Sequence, residues 1–258
     1  MAACIGAGKT GKLHEMLRAT ALALYRRVYV PTLLRLLPLQ RETTLSLIYH
    51  IAKVRSAEYA LAHIEHAVLF DTGRSGEYGH RGLLRFALRR ARQSKEEGAF
   101  LEFGVYRGAT LSLISEIASP LDVYGFDSFE GLPEDWAGYT LARGHFSTGG
   151  DLPRVRENVR LYKGLFAKTI PQYLAERTPS RISFLHIDCD LYSSTCDVFR
   201  SLGSLIKSGA IIVFDEYYGY PGWELNGEFK AFQEWIMQSA NTYRYIGFSF
   251  GAVAVEIL

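Results

Sequence analysis

The sequence predicts an α/β fold: a mostly parallel sheet ending in an antiparallel hairpin, preceded by a helical segment. Three observations carry this reading. After Gly98, short apolar runs alternate with helical ones, the pattern of parallel strands joined by crossover helices. Those runs end on acids or glycines: Glu102 and Gly104, Asp127, Asp188, then Asp215-Glu216. Before Gly98 the apolar spacing is helical, with no strand-like alternation.

The elements follow in order. Helices are expected over Leu13–Tyr29, over about Thr43–Phe70 and over Gly82–Glu97. In the long run, Leu47, Ile51, Val54, Tyr59, Ala62 and His66 recur at helical spacing. The glycine-rich loop Asp71–His80 separates it from the third helix. Buried strands are expected at Ala99–Val105, Val123–Phe126, Ile182–Ile187 and Ala210–Phe214. Helices should cover Thr110–Ala118, Leu152–Asn158, Phe166–Glu176, Ser194–Ile206 and Glu228–Ser239. Tyr243–Phe248 and Ala252–Leu258, joined through Ser249–Gly251, read as the antiparallel pair. The division expected is a helical extension over residues 1–97 and a ligand-binding domain over 98–258.

Bulk properties narrow the classes. A 258-residue chain with 48% hydrophobic and 22% charged residues is globular, not disordered. The net charge of +2 gives no signal for an anionic partner, and no nucleic acid is expected. Cys4, Cys189 and Cys196 have no zinc-like spacing and fit free thiols in a reducing cytoplasm. Cys189 reads as a small buried filler. The leucine-rich stretch Leu13–Leu39 carries four arginines and two prolines, so it does not span a membrane. A helix packed on its own domain or on a partner subunit is preferred there to a basic helix lying on a membrane surface.

Two segments imitate sites. Gly6–Lys12 resembles a phosphate-binding loop, but no strand precedes it. One register places Leu13 where a magnesium-binding hydroxyl belongs; the other places Ala3 where glycine is required. His63 and His66 lack the spacing of a zinc helix.

The segment Phe100–Thr110 has the order strand, glycine turn, helix start. Gly104 permits a tight turn, Gly108 permits close approach, and Thr110 caps or begins the helix. It is not G-x-G-x-x-G, which argues against a nicotinamide dinucleotide. Asp127, at the next strand tip, is placed to accept hydrogen bonds from a ribose diol. In an open parallel sheet, ligands bind beyond the carboxyl ends of the strands, so a row of acids there describes a reaction centre.

Five segments in order, Glu102–Gly108, Asp127–Pro133, Lys163–Phe166, Asp188–Thr195 and Asp215–Tyr217, resemble the motifs of the macrocin/mycinamicin O-methyltransferase family. The resemblance covers about Gly98 to the C-terminus. It implies the Rossmann-like sheet of class I S-adenosylmethionine-dependent methyltransferases and a magnesium-assisted methylation of a sugar hydroxyl. It places Glu102, Gly104, Tyr106 and Gly108 beneath the methionine part of the cofactor, with Thr110 also in the cofactor site. Asp127 and Ser128 would hold the ribose, and Lys163, Gly164 and Phe166 would lie near the adenine. Asp188, Asp215 and Glu216 would bind the metal. The chain departs from the pattern at Tyr106, where tryptophan is common, and at Ala109, where glycine is. Asp215-Glu216 also replaces an Asp-Asp pair, keeping the charge with a reach one methylene longer.

The chemistry demands such residues. Methyl transfer from a sulfonium is an in-line displacement, so alignment is the main task. An alcohol is a poor nucleophile until its proton leaves, and a divalent ion lowers the pKa of a bound oxygen. Magnesium takes hard oxygen ligands, and strands about 4.7–4.9 Å apart let acids at neighbouring tips share one ion. Asp188, His145 and His186 are the candidate bases, with His186 more readily a packed supporting group. Asp190 reads as a local turn residue. The aromatic segment Tyr217–Trp223 either faces the substrate or packs against helices.

The expectation is therefore a cytoplasmic enzyme of natural-product sugar O-methylation, using S-adenosylmethionine and magnesium on a small-molecule hydroxyl acceptor. Its N-terminal helices would cap the site or make a homo-oligomer contact. The rivals are a cephalosporin-hydroxylase-like metal enzyme, a nicotinamide-dependent oxidoreductase and a non-catalytic cofactor-binding or assembly module.

Overall fold

Alternation along the strands sets the layers. The computed structural model describes residues 41–70, 79–94 and 96–258. Its strands are β1 (Val68–Leu69), β2 (Ala99–Phe103), β3 (Val123–Asp127), β4 (Val159–Lys163), β5 (Ile182–Ile187), β6 (Ile206–Phe214), β7 (Tyr243–Phe248) and β8 (Val253–Ile257). The helices are α1 (Arg41–His63), α2 (Gly79–Arg92), α3 (Ala109–Ala118), α4 (Phe166–Arg177), α5 (Tyr192–Leu202) and α6 (Gly227–Gln238). Phe100, Phe184, Ile211 and Val213 face a core shared with Leu83, Leu84 and Leu88 of α2 and Leu111 and Ile114 of α3. Their neighbours Leu101, Leu185, Ile212 and Phe214 face the other core, with Ile170 and Tyr173 of α4, Val198 and Phe199 of α5 and Phe232 of α6. Successive side chains point to opposite faces, so strands buried on both sides read as unbroken apolar runs.

The strand order is β1-β7-β8-β6-β5-β2-β3-β4. Among the described residues only β8 runs against the rest, pairing antiparallel with β6 and β7. This is the class I methyltransferase sheet with its C-terminal antiparallel strand, as expected. The order reverses at β2 and β5, which lie side by side with Glu102 opposite His186. Ligand sites of such sheets form at this switch point.

Several expectations need correction. Leu152–Asn158 is not helical. Leu152 and Val155 remain 53% and 40% exposed, so no apolar face is buried that would hold a helix there. The following Val159–Lys163 is instead a strand, unnoticed because charged Arg160 and Lys163 interrupt its apolar pattern. The helix expected to reach Phe70 ends at His63 and gives way to β1, which pairs in parallel with β7. The third helix stops at Arg92 rather than Glu97. The expected helix Leu13–Tyr29, the phosphate-loop imitation and Cys4 lie outside the described residues.

Contacts divide the chain into Met1–Ile48 and Tyr49–Leu258. The second unit holds α2 together with the whole sheet. No helix among the described residues is long and apolar enough to cross a membrane.

Candidate active site

A cavity of about 470 Å³ opens at the carboxyl ends of β2, β3 and β5, and residues following β4 and β6 also line it. Gly104 ends β2 at φ 93, and a Cβ there would lie 1.7 Å from the Asp188 carbonyl oxygen. Only glycine permits this turn and this approach of two backbones. Gly108, at φ 78, is the N-cap of α3, and Thr110 lies within its first turn. Tyr106 takes φ 49, and its ring meets Phe146 edge-on at 5.8 Å.

Asp127 ties this region together. One carboxylate oxygen accepts the backbone N–H groups of Val105 at 2.8 Å and Tyr106 at 2.7 Å; the other accepts that of Phe129 at 2.7 Å. A carboxylate has about four acceptor positions, so room for a ligand hydroxyl remains. The Ser128 hydroxyl donates to the Gly131 carbonyl and accepts from the Glu130 N–H, each at 3.1 Å. Gly104, Tyr106, Asp127, Ser128, Gly164 and Phe166 all line the cavity. Glu102, Gly108, Thr110 and Lys163 do not; the Lys163 ammonium donates to the Gly150 carbonyl at 2.7 Å.

Beside these residues stands an acidic centre. Asp188 follows β5, and Asp215-Glu216 follows β6. The Asp215 N–H donates to the Ile187 carbonyl at 2.9 Å, which aligns the two strand tips. One carboxylate oxygen from each of Asp188, Asp215 and Glu216 lies within 4.8 Å of the others. Burial and then the neighbouring charges of Asp215, Glu216, Asp190 and Glu102 push the Asp188 pKa well up. Glu216 is raised by burial and by Asp215 and Asp190. Burial acts against ionised Asp215, but His80, His186 and Glu216 together hold its carboxyl below the usual range. One Glu216 oxygen is buried without a hydrogen-bond partner. Hard oxygens this close, with one left unpaired, fit a small divalent cation.

The candidate bases separate. Asp188 lines the cavity, whereas His145 and His186 do not. His186 is buried, and its Nδ1 lies 2.8 Å from a Glu102 oxygen that is its register partner across the strands. Burial raises the Glu102 pKa, opposed by that imidazole. His145 is exposed, its ring packing edge-on against Phe146 at 4.4 Å. The aromatic segment after Glu216 packs inward: Tyr217, Tyr218, Tyr220 and Trp223 are all buried.

Sequence reasoning missed several residues. Asp190 does form a turn, at φ 65, yet its side chain also lines the cavity, and burial, then Asp215 and Asp127, push its pKa up to about 8. Fully buried Glu228, in the first turn of α6, accepts the N–H groups of Asp190 at 3.3 Å and Glu216 at 3.2 Å. It was legible only as an acid at a helix start. His80 places Nδ1 3.1 Å from an Asp215 oxygen. Trp136 lines the cavity and packs at a tilt against Tyr139, with ring centroids 4.2 Å apart. No local signal in the sequence announces either contact.

Residues 101–217 match the family described as "Methyltransferase domain". A tetracenomycin-C 4'-O-methyltransferase of Streptomyces olivaceus, acting on a dimethoxyrhamnosyl form, is 28% identical over 139 residues, which is 46% of this chain and 53% of that protein. Demethyldecarbamoylnovobiocin O-methyltransferase of Streptomyces niveus is 28% identical over 142 residues, 48% of this chain and 54% of that protein. The chain thus matches about half the length of these curated relatives. The crystal structure of CalS11, a calicheamicin methyltransferase, superimposes with a TM-score of 0.54 at 19% identity, covering 99% of each chain. That likeness establishes the fold.

Proposed function

We propose that this chain is an S-adenosylmethionine-dependent O-methyltransferase acting on a hydroxyl of a sugar or a sugar-bearing natural product, with magnesium assisting. The observation that carries the reading is one cavity bordered both by the Gly104 turn with Asp127 and by the acids Asp188, Asp215 and Glu216. The rhamnosyl group in the name of the Streptomyces olivaceus relative supports the acceptor class.

The cofactor supplies an electrophilic methyl carbon. Gly104 would admit it close to the backbone, Asp127 and Ser128 would orient its ribose, and Phe166 would lie near its adenine. Asp188, Asp215 and Glu216 would hold magnesium, whose charge favours loss of the acceptor's proton. Asp188, the candidate base that lines the cavity, would take that proton. Trp136, backed by Tyr139, would offer an apolar wall for the face of a sugar ring. The segment before Gly98, expected from its sequence to be helical, would cap the acceptor side or join a second copy. A cytoplasmic location agrees with the free thiols of Cys189 and Cys196.

A screen of sugar-bearing acceptors with methyl-labelled S-adenosylmethionine tests this reading. Label should appear on an acceptor oxygen in magnesium and not in chelator. A folded protein that binds the cofactor and labels only nitrogen or carbon acceptors would refute the O-methyl assignment.

A further inference from the structure

We propose that His80 is a positioning residue for the acidic centre: by donating from Nδ1 to one oxygen of Asp215, it leaves the second oxygen to the cation. The inference rests on the magnesium reading above. His80 stands in the first turn of α2, at 3.1 Å from Asp215 Oδ1. Two anchors make that contact reproducible. Leu83, Leu84, Ala87 and Leu88 bury α2 against the sheet, and the Asp215 N–H is held by the Ile187 carbonyl. The backbones that carry the imidazole and the carboxylate are thus each anchored.

A neutral imidazole protonated on Nδ1 makes the same hydrogen bond, so the device requires no change of protonation. Partners that orient a metal's ligands typically contribute about 10–100-fold to metal affinity. The inference also gives the chain before Gly98 a part in the centre, because α2 delivers this contact.

The test is a calorimetric titration of magnesium chloride into the wild-type chain, His80→Ala and His80→Asn, with S-adenosylmethionine affinity measured in parallel. The Asn amide nitrogen reproduces the position of Nδ1. His80→Ala should weaken magnesium binding about 10-fold or more. His80→Asn should recover to within about threefold, and cofactor affinity should be unchanged in both. With an identified acceptor, kcat at limiting magnesium should fall in His80→Ala and return at high magnesium. A folded His80→Ala with wild-type magnesium affinity overturns the inference and leaves the metal reading intact. Equal losses in His80→Ala and His80→Asn also overturn it. A wild-type chain that does not bind magnesium overturns both.

Discussion

The Asp188 carbonyl oxygen occupies the space a side chain on Gly104 would need, 1.7 Å from the ideal Cβ position. The glycine turn after β2 and the acid tip of β5 are therefore one construction. Gly104→Ala forces a left-handed residue and pushes the two backbones apart. It should cost on the order of 3 kcal/mol or more, read by chemical denaturation, and should remove cofactor binding in whatever fraction stays folded.

Asp127 gives a second prediction. Its carboxylate holds three backbone N–H groups of the turns bordering the cavity. Asp127→Ala should weaken S-adenosylmethionine binding by about 1.5–3 kcal/mol and lower the melting temperature as well. Unchanged cofactor affinity in the folded variant would remove Asp127 from the site.

Glu228→Ala leaves the N–H groups of Asp190 and Glu216 without their buried acceptor. We expect a loss of about 2–4 kcal/mol in denaturant and a higher magnesium requirement, because the loops bearing two cavity acids are released together. Wild-type stability would show that other groups hold these loops.

Tyr139 packs at a tilt behind Trp136, and its phenol is pushed up by burial and then by Glu216, Tyr49, Asp190 and Asp215, which places it in the field of the acids. Tyr139→Ala should raise the acceptor KM about tenfold, roughly 1.4 kcal/mol, with cofactor affinity unchanged. An unaltered KM would take this wall away from the acceptor.

The contrast between what was legible and what was not has a physical basis. The strands Ile182–Ile187 and Val123–Asp127 are buried on nearly every side chain, so their apolar runs stand out in one dimension. Asp188, Asp127 and Asp215 were legible because a sheet places the ends of its strands together. Glu228 and His80 were not, since each reaches the centre across a helix whose docking no local pattern encodes. Asp190 misled for another reason: a residue that makes a turn with its backbone can still present its side chain to a cavity.

Chelator should abolish methyl transfer while sparing most cofactor binding. Asp215→Asn should raise the magnesium needed, because one charged ligand is lost with little change of shape. Glu216→Asp should be milder, keeping the charge with a shorter reach. Full activity in exhaustive chelator would move catalysis to a protein base alone.

The most direct measurement is a calorimetric titration of S-adenosylmethionine into the full chain, once in magnesium and once in chelator. The account predicts a single site filled in both buffers with similar affinity, since the glycine turn and Asp127 make the cofactor contacts. Absence of binding in both buffers by a folded chain would contradict it.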